Sequence, residues 1–331
     1  MSDPRLAPLL DGLERRDRSA LARAITLIES TRPTDQAAAR MILSQIDTVN
    51  PATWRVGVSG LPGAGKSTLI DRLGMHYVSQ GHRVAVLAVD PSSPTSGGSV
   101  LGDKTRMEQL SRSDDAFIRP SPARRHLGGV SLRTRETIQL CEAAGYDRIL
   151  IETVGVGQSE AAITNMVDYT LLLLLPGGGD ALQGIKRGLL ELADFVIMNK
   201  ADGDLREAAT EALRMHQQTM HATRPTERMP QFVCHSTHDP STFAALVEML
   251  DQTLAQLSQE AAFRDRRLAQ RVAWYQSSLL DAVQQQLQGA LAGRADLVQL
   301  RDAGEARLRA GTEHPIVLAD SLLNALFEPP A

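Results

Sequence analysis

The chain is poor in several features that mark particular classes of protein. Of its 331 residues only Cys141 and Cys234 are cysteine, too few for a disulfide framework. Aromatic residues amount to 4%, which leaves little for the stacking platforms that bind single-stranded nucleic acid. No apolar run approaches the roughly 20 residues that cross a bilayer. The most apolar stretch, around 171–175, reads as a buried strand. The first twenty residues are charged throughout and lack the apolar stretch of a signal peptide. A charge excess is missing as well: 35 Lys plus Arg stand against 39 Asp plus Glu, a net charge of -4. Such a chain has no field to attract a phosphate polymer or an anionic membrane. The expectation is a protein of the reducing cytoplasm that binds neither nucleic acid nor membrane, and that recognises any phosphate locally.

What is present is an ordinary globular composition, 43% hydrophobic and 22% charged. Up to residue 50, Leu9, Leu13, Leu21, Ile25, Leu27 and Ile28 recur at helical spacing, in two segments separated near residues 32–36. After Asn50-Pro51 come short apolar runs at 54–59, 83–89, 148–151, 170–175, 195–198 and 231–234. Each is followed by a turn and a helical stretch, the pattern of βαβ units on a parallel sheet covered on both faces. From about residue 241 helix dominates. Leu268, Val272, Tyr275, Leu279, Val283 and Leu287 form a stripe that needs either the chain's own sheet or a second subunit to bury it. The expected organisation is an N-terminal helical extension (1–50), an α/β domain (51–258) and a C-terminal helical arm (259–331).

Immediately after the first run stand Gly60, Leu61, Pro62, Gly63, Ala64, Gly65, Lys66, Ser67 and Thr68, a full G-x-x-x-x-G-K-[ST] match between a strand and a helix. The glycines let successive N–H groups face a phosphate chain, and the following helix adds its positive end. Lys66 supplies a point charge for the β- and γ-phosphates, and the Ser67 hydroxyl is a hard oxygen ligand for Mg²⁺. The run at 195–198 ends in Asn199, Lys200, Ala201 and Asp202. A carboxylate at Asp202 accepts from both N1–H and the exocyclic amine of guanine, whereas adenine leaves it unpaired; sites built on hydrogen bonds reject such analogues strongly.

Acidic residues follow other strands: Asp90, Asp103 in the polar loop beyond it, and Glu152. At the carboxyl ends of parallel strands they face the ligand crevice, and one or more should hold Mg²⁺ directly or through water. Gly155 offers a backbone N–H to the γ-phosphate. Val156 follows it and Gln158 lies two residues further, so no glutamine sits directly after the glycine to orient water, and unaided hydrolysis is expected to be slow. Cys234, His235 and His238 match no tetrahedral zinc spacing. His126, beside Arg124-Arg125, reads as an exposed turn or a partner contact.

Beyond these single motifs, GLPGAGKST, VDPSSPTSGGSVLGDKTRM, RHLGGVSLRTRETI, YDRILIETVGVGQSE, LLLLLPGGGDALQGIKRGLLELAD and MNKAD together resemble the MeaB/ArgK GTPases. The resemblance implies an α/β P-loop GTPase domain with a mostly parallel sheet, N-terminal helices and a C-terminal helical dimerisation arm. It implies a homodimer that binds GTP/GDP and Mg²⁺ and serves an adenosylcobalamin-dependent acyl-CoA mutase such as methylmalonyl-CoA mutase. Lys66, Asp90, Asp103, Glu152 and Gly155 would form the catalytic set, with Ser67, Asp90, Asp103 and Glu152 toward Mg²⁺. Asn199, Lys200 and Asp202 would hold guanine, and Asp180, Gln183 and Lys186 would couple nucleotide state to the partner. One stretch departs from the family pattern. Residues 235–242, HSTHDPST, replace an expected Ser-Ala pair and glycine-containing loop, which leaves Ser236 as the candidate for the last guanine contact. A kinase of a transport protein or small molecule is the competing reading. A nickel metallochaperone is disfavoured by the lack of a His-rich tract.

Overall fold

The structure, a computed structural model, describes residues 3–46, 52–90, 107–122, 129–153, 163–176, 187–223 and 229–327. Seven strands, β1 (Trp54–Gly60), β2 (Val84–Asp90), β3 (Ala116–Pro122), β4 (Arg148–Thr153), β5 (Tyr169–Leu174), β6 (Phe195–Met198) and β7 (Gln231–Cys234), form one parallel sheet in the order β3-β2-β4-β1-β5-β6-β7. Every residue of β4, β5 and β6 is buried, as continuous apolar strands in a doubly covered sheet require. Helices α1 (Leu6–Glu14), α2 (Arg18–Glu29), α3 (Pro33–Gln45) and α6 (Gly129–Ala143) share one core with the sheet. There Leu13, Leu21, Ile25, Ile28 and Ile138 cluster with Ala85, Leu87, Ile149 and Ile151. A second core joins Val56, Val58, Leu171 and Ile197 to α4 (Lys66–Ser79) and α9 (Pro240–Gln259) through Leu69, Leu73, Leu246 and Leu250. Between these elements lie α5 (Glu108–Ser111), α7 (Arg187–Leu192) and α8 (Arg206–Thr223), the last preceded by a 3₁₀ turn at Gly203–Leu205.

Two details differ from the sequence-based expectation. The N-terminal helices number three. Pro33 does not belong to a break; it is the first residue of α3, where its missing N–H costs nothing. The break that spacing does not reveal is at Arg16, in the left-handed region at φ 62°, followed by Asp17, whose carboxylate caps α2 by accepting from Ser19 N–H at 2.8 Å. Strand β3 lies outside the expected apolar runs because it reads AFIRPSP. It tolerates Pro120 and Pro122 because it is an edge strand, bonded to β2 alone.

The chain divides into two compact units, Met1–Gln270 and Arg271–Ala331. The first unit contains the opening turns of α10 (Ala261–Gly293), in which Phe263 and Arg267 are buried. Arg267 donates to both carboxylate oxygens of Asp168, at 2.9 and 2.7 Å, and to Thr53 O at 2.6 Å. The second unit holds the rest of α10 with α11 (Ala295–Arg309) and α12 (Pro315–Phe327). Gly304 of α11 lies near Leu318 of α12. Val272, Tyr275, Leu279, Leu280 and Val283 of α10 are exposed, with Tyr275 at 68%. Among the described residues no helix is long and apolar enough to cross a membrane.

Candidate nucleotide site

Because all seven strands are parallel, the carboxyl ends of β1, β2, β4, β6 and β7 lie along one edge of the sheet. The chain order reverses around β1, between β4 and β5, the place where ligands of such sheets bind. The phosphate loop leaves β1 with Gly60, Gly63 and Gly65 at φ 147°, 79° and 91°. Two of these have no alternative to glycine. A Cβ on Gly60 would lie 2.4 Å from Leu173 O, and one on Gly65 would lie 2.5 Å from Asn199 Nδ2. Gly65 then caps α4, which begins at Lys66. The Lys66 side chain is buried, and its ammonium donates to the carbonyls of Gly60 at 3.0 Å and Leu61 at 3.2 Å. The loop thus concentrates a cation and a helix amino end in one cradle.

Glu152, near the end of β4, is buried and accepts from the Ser67 hydroxyl at 2.9 Å. A hydroxyl and a carboxylate in contact beside the phosphate loop are a donor set suited to Mg²⁺, which takes few protein oxygens and fills its remaining positions with phosphate and water. Asp90 ends β2 on the same edge. Asp103, Gly155, Asp180, Gln183 and Lys186 lie outside the described residues, as does His126.

The segment Asn199–Asp202, expected from its sequence to contact a base, is tied to the phosphate loop directly. Asn199 is 2% exposed, and its Nδ2 donates to Ala64 O at 2.6 Å, while its Oδ1 is buried with no hydrogen-bond partner. Asn199 therefore fixes the phosphate loop as well as standing at the base motif, a role that sequence spacing does not show. Lys200 adopts the left-handed region at φ 59° without being glycine, a backbone cost retained at a functional turn. Asp202 is half-buried, and among the described residues its carboxylate has no hydrogen-bond or ion-pair partner. Its own carbonyl accepts from Leu205 N–H.

The loop at 235–239 packs beside this motif: Ala201 N–H donates to His235 O at 3.0 Å, and His235 N–H donates to Met198 O at 2.8 Å. Ser236 is fully buried and engaged within its own loop. Its N–H donates to Thr242 Oγ1 at 3.1 Å and its hydroxyl accepts from His238 N–H at 3.0 Å. Asp239 caps α9 by accepting from Ser241 N–H. The His235 ring is fully buried with both nitrogens unpartnered, 6.0 Å from the Phe243 ring. Burial first, and Arg72 second, push its pKa down to about 4. The pair of His235 and His238 accordingly has one ring sealed in the interior.

A glycine-cradled phosphate loop, a hydroxyl–carboxylate pair and a base motif bonded to that loop, all on one edge of a parallel sheet, define a P-loop nucleoside triphosphatase. The family model for "Methylmalonyl Co-A mutase-associated GTPase MeaB" matches residues 21–292. A probable GTPase of Mycobacterium tuberculosis is 46% identical over 309 residues, covering 93% of this chain and 91% of its own. The mouse methylmalonic aciduria type A homolog is 56% identical over 207 residues, covering 60% of this chain and 50% of its own. A crystal structure described as LAO/AO transport system kinase superposes with a TM-score of 0.72 at 32% identity, covering 99% of both chains. The chain belongs to the MeaB family of GTPases, and it is a GTP-binding, GTP-hydrolysing enzyme.

Proposed function

We propose that this GTPase is a chaperone of a cobalamin-dependent acyl-CoA mutase, methylmalonyl-CoA mutase in the first instance, and that its nucleotide state gates cofactor delivery and protects or reactivates the mutase. The family match over residues 21–292 supports the partner. The observation that carries the nucleotide part is the Asn199–Ala64 hydrogen bond, which makes the base motif and the phosphate loop one connected structure. In this reading Lys66 neutralises charge on the β- and γ-phosphates, and the Asp202 carboxylate accepts from N1–H and the amine of guanine. Ser67 and Glu152, with Asp90 and Asp103, would hold Mg²⁺ directly or through water. When bound, that ion would supply positive charge to offset charge on the transferred phosphoryl group. Asp180, Gln183 and Lys186 couple nucleotide to partner, and Gly155 meets the γ-phosphate.

The chain acts as a homodimer in this proposal, joined through the exposed apolar face of α10, where Val272, Tyr275, Leu279 and Val283 recur at helical spacing. Coupling to the mutase is reciprocal: if the mutase favours the GTP-bound arrangement, GTP favours mutase binding by the same factor. The test is GTP hydrolysis by the purified protein alone and with methylmalonyl-CoA mutase, beside an ATP control. Slow GTP turnover accelerated by the mutase supports the proposal. An unchanged rate removes methylmalonyl-CoA mutase as the partner and leaves a GTPase that serves another mutase or none. ATP turnover with transfer to a second substrate would favour the kinase reading, which the similarity to a transport system kinase raises.

A further inference from the structure

The loop at 235–239 departs from the family pattern in sequence, and the structure shows what holds it instead. Arg72, on α4 about one and a half turns beyond Ser67, donates from Nη1 to Thr237 O at 2.9 Å. The same guanidinium lies 4.3 Å from the centre of the Phe243 ring of α9, a distance at which a cation is attracted by the ring face. Phe243 in turn packs against the buried His235 ring. The loop is therefore clamped between the helix that begins at the phosphate loop and the helix that follows the loop itself.

The hydrogen-bond inventory of the loop is uneven. The N–H groups of His235, Ser236, His238 and Asp239 donate to Met198 O, Thr242 Oγ1, Ser236 Oγ and Ser236 O respectively. Among the described residues the Thr237 N–H alone in this stretch has no acceptor. Thr237 is half-buried, and the residue's carbonyl is the group that Arg72 grips. A backbone donor on this loop, which is bonded through His235 O to Ala201 next to Asp202, complements the 6-oxo group of guanine and repels the 6-amino group of adenine.

We propose that Arg72 is a positioning residue for base recognition: by pinning Thr237 to α4 it holds the Thr237 N–H as the donor to the purine 6-oxo group. The inference rests on the guanine-binding reading of this site and replaces Ser236 with Thr237 as the loop's base contact. Arg72 touches neither phosphate nor base in this scheme, so its loss separates the two halves of the ligand.

The test compares the intact chain with its Arg72→Ala and Arg72→Lys variants, each titrated with GDP, ADP and inorganic triphosphate. Arg72→Ala is expected to weaken GDP binding on the order of tenfold, the worth of about one well-placed hydrogen bond, while triphosphate affinity holds. Arg72→Lys, which keeps a cation over Phe243 but not the planar fork, should recover part of the loss. GDP affinity unchanged in Arg72→Ala overturns the inference. So does an equal loss for GDP and triphosphate, the signature of damage to α4 itself. Should Arg72→Ala fail to fold, the same split between GDP and triphosphate is read in Arg72→Lys. A parent chain that binds ADP as well as GDP removes the guanine reading beneath the inference and overturns both, a result distinct from failure at Arg72 alone.

Discussion

The two edges of the sheet are both rich in charged groups and treat them in opposite ways. On the amino edge the carboxylates are matched to cations, although Thr53 Oγ1 and Arg148 Nε stand buried without a partner. Arg267 and Asp168 form a bidentate pair at 8% and 2% side-chain exposure, Asp168 also accepts from Arg55 N–H, and Arg55 pairs with Glu142 at 2.7 Å. Burial still outweighs Arg55 and holds the Glu142 carboxyl above its usual range. Farther along, Arg148 lies 3.9 Å over the Trp54 ring and hydrogen-bonds His82, which contacts Asp147. On the carboxyl edge, polar atoms stand buried without partners at Asn199 and His235, Lys200 is in left-handed backbone, and Asp202 has no partner among the described residues. An edge that pairs its carboxylates with cations serves stability; an edge that leaves a carboxylate and an amide oxygen open, at the cost of desolvation, suits a ligand.

Substitution on each edge sharpens that contrast. Lys66→Ala should reduce kcat/KM for GTP by at least about a hundredfold, the scale for losing one preorganised charge-stabilising group, with little change in thermal midpoint. Steady-state kinetics beside a melting curve would show it. Arg267→Ala should do the reverse, costing about 3–5 kcal/mol of stability because Asp168 is left buried without the cation it pairs with. KM for GTP in the molecules that remain folded should be unchanged, as denaturant titration and kinetics can establish. The same reasoning bears on where the chain is cut: ending it at residue 259 removes Phe263 and Arg267 from the sheet unit, whereas ending it after 270 leaves them in place.

A smaller effect concerns His235. Its folded pKa of about 4 lies below the ordinary histidine value, so the unfolded chain binds more protons between about pH 4 and 6.5. The stability it allows is complete above that window and is lost as pH falls through it, a term on the order of 2 kcal/mol. His235→Leu should flatten the acid slope of the unfolding free energy. A variant with the same slope as the parent would place the titration elsewhere.

How much of this is legible in the sequence follows from the range of each interaction. Glycines and Lys66 act on backbone a few residues away, so the phosphate loop and the start of α4 can be read from spacing alone, as can every strand but β3 from its apolar run. Asn199, Lys200 and Asp202 are legible as a base motif, but the bond from Asn199 to Ala64 spans 135 residues and leaves no periodic trace. The same holds for Arg267 with Asp168 and for Arg72 with Thr237, where nothing near either residue announces the other. Strand β3 is hidden by two prolines that only an edge position excuses. Ser236 stands where analogy of position puts the loop's base contact, and the packing of Thr242 and His238 around it shows an internal turn.

The central claim is that Asp202 reads the base on this open edge, and nucleotide preference tests it most directly. Triphosphate binding by the parent chain and by Asp202→Asn would be compared for GTP and xanthosine triphosphate. The account predicts that the parent prefers GTP and that the variant loses it on the order of a hundredfold while gaining xanthosine triphosphate. A variant that keeps the parent's preference would contradict the account and show that another group reads the base.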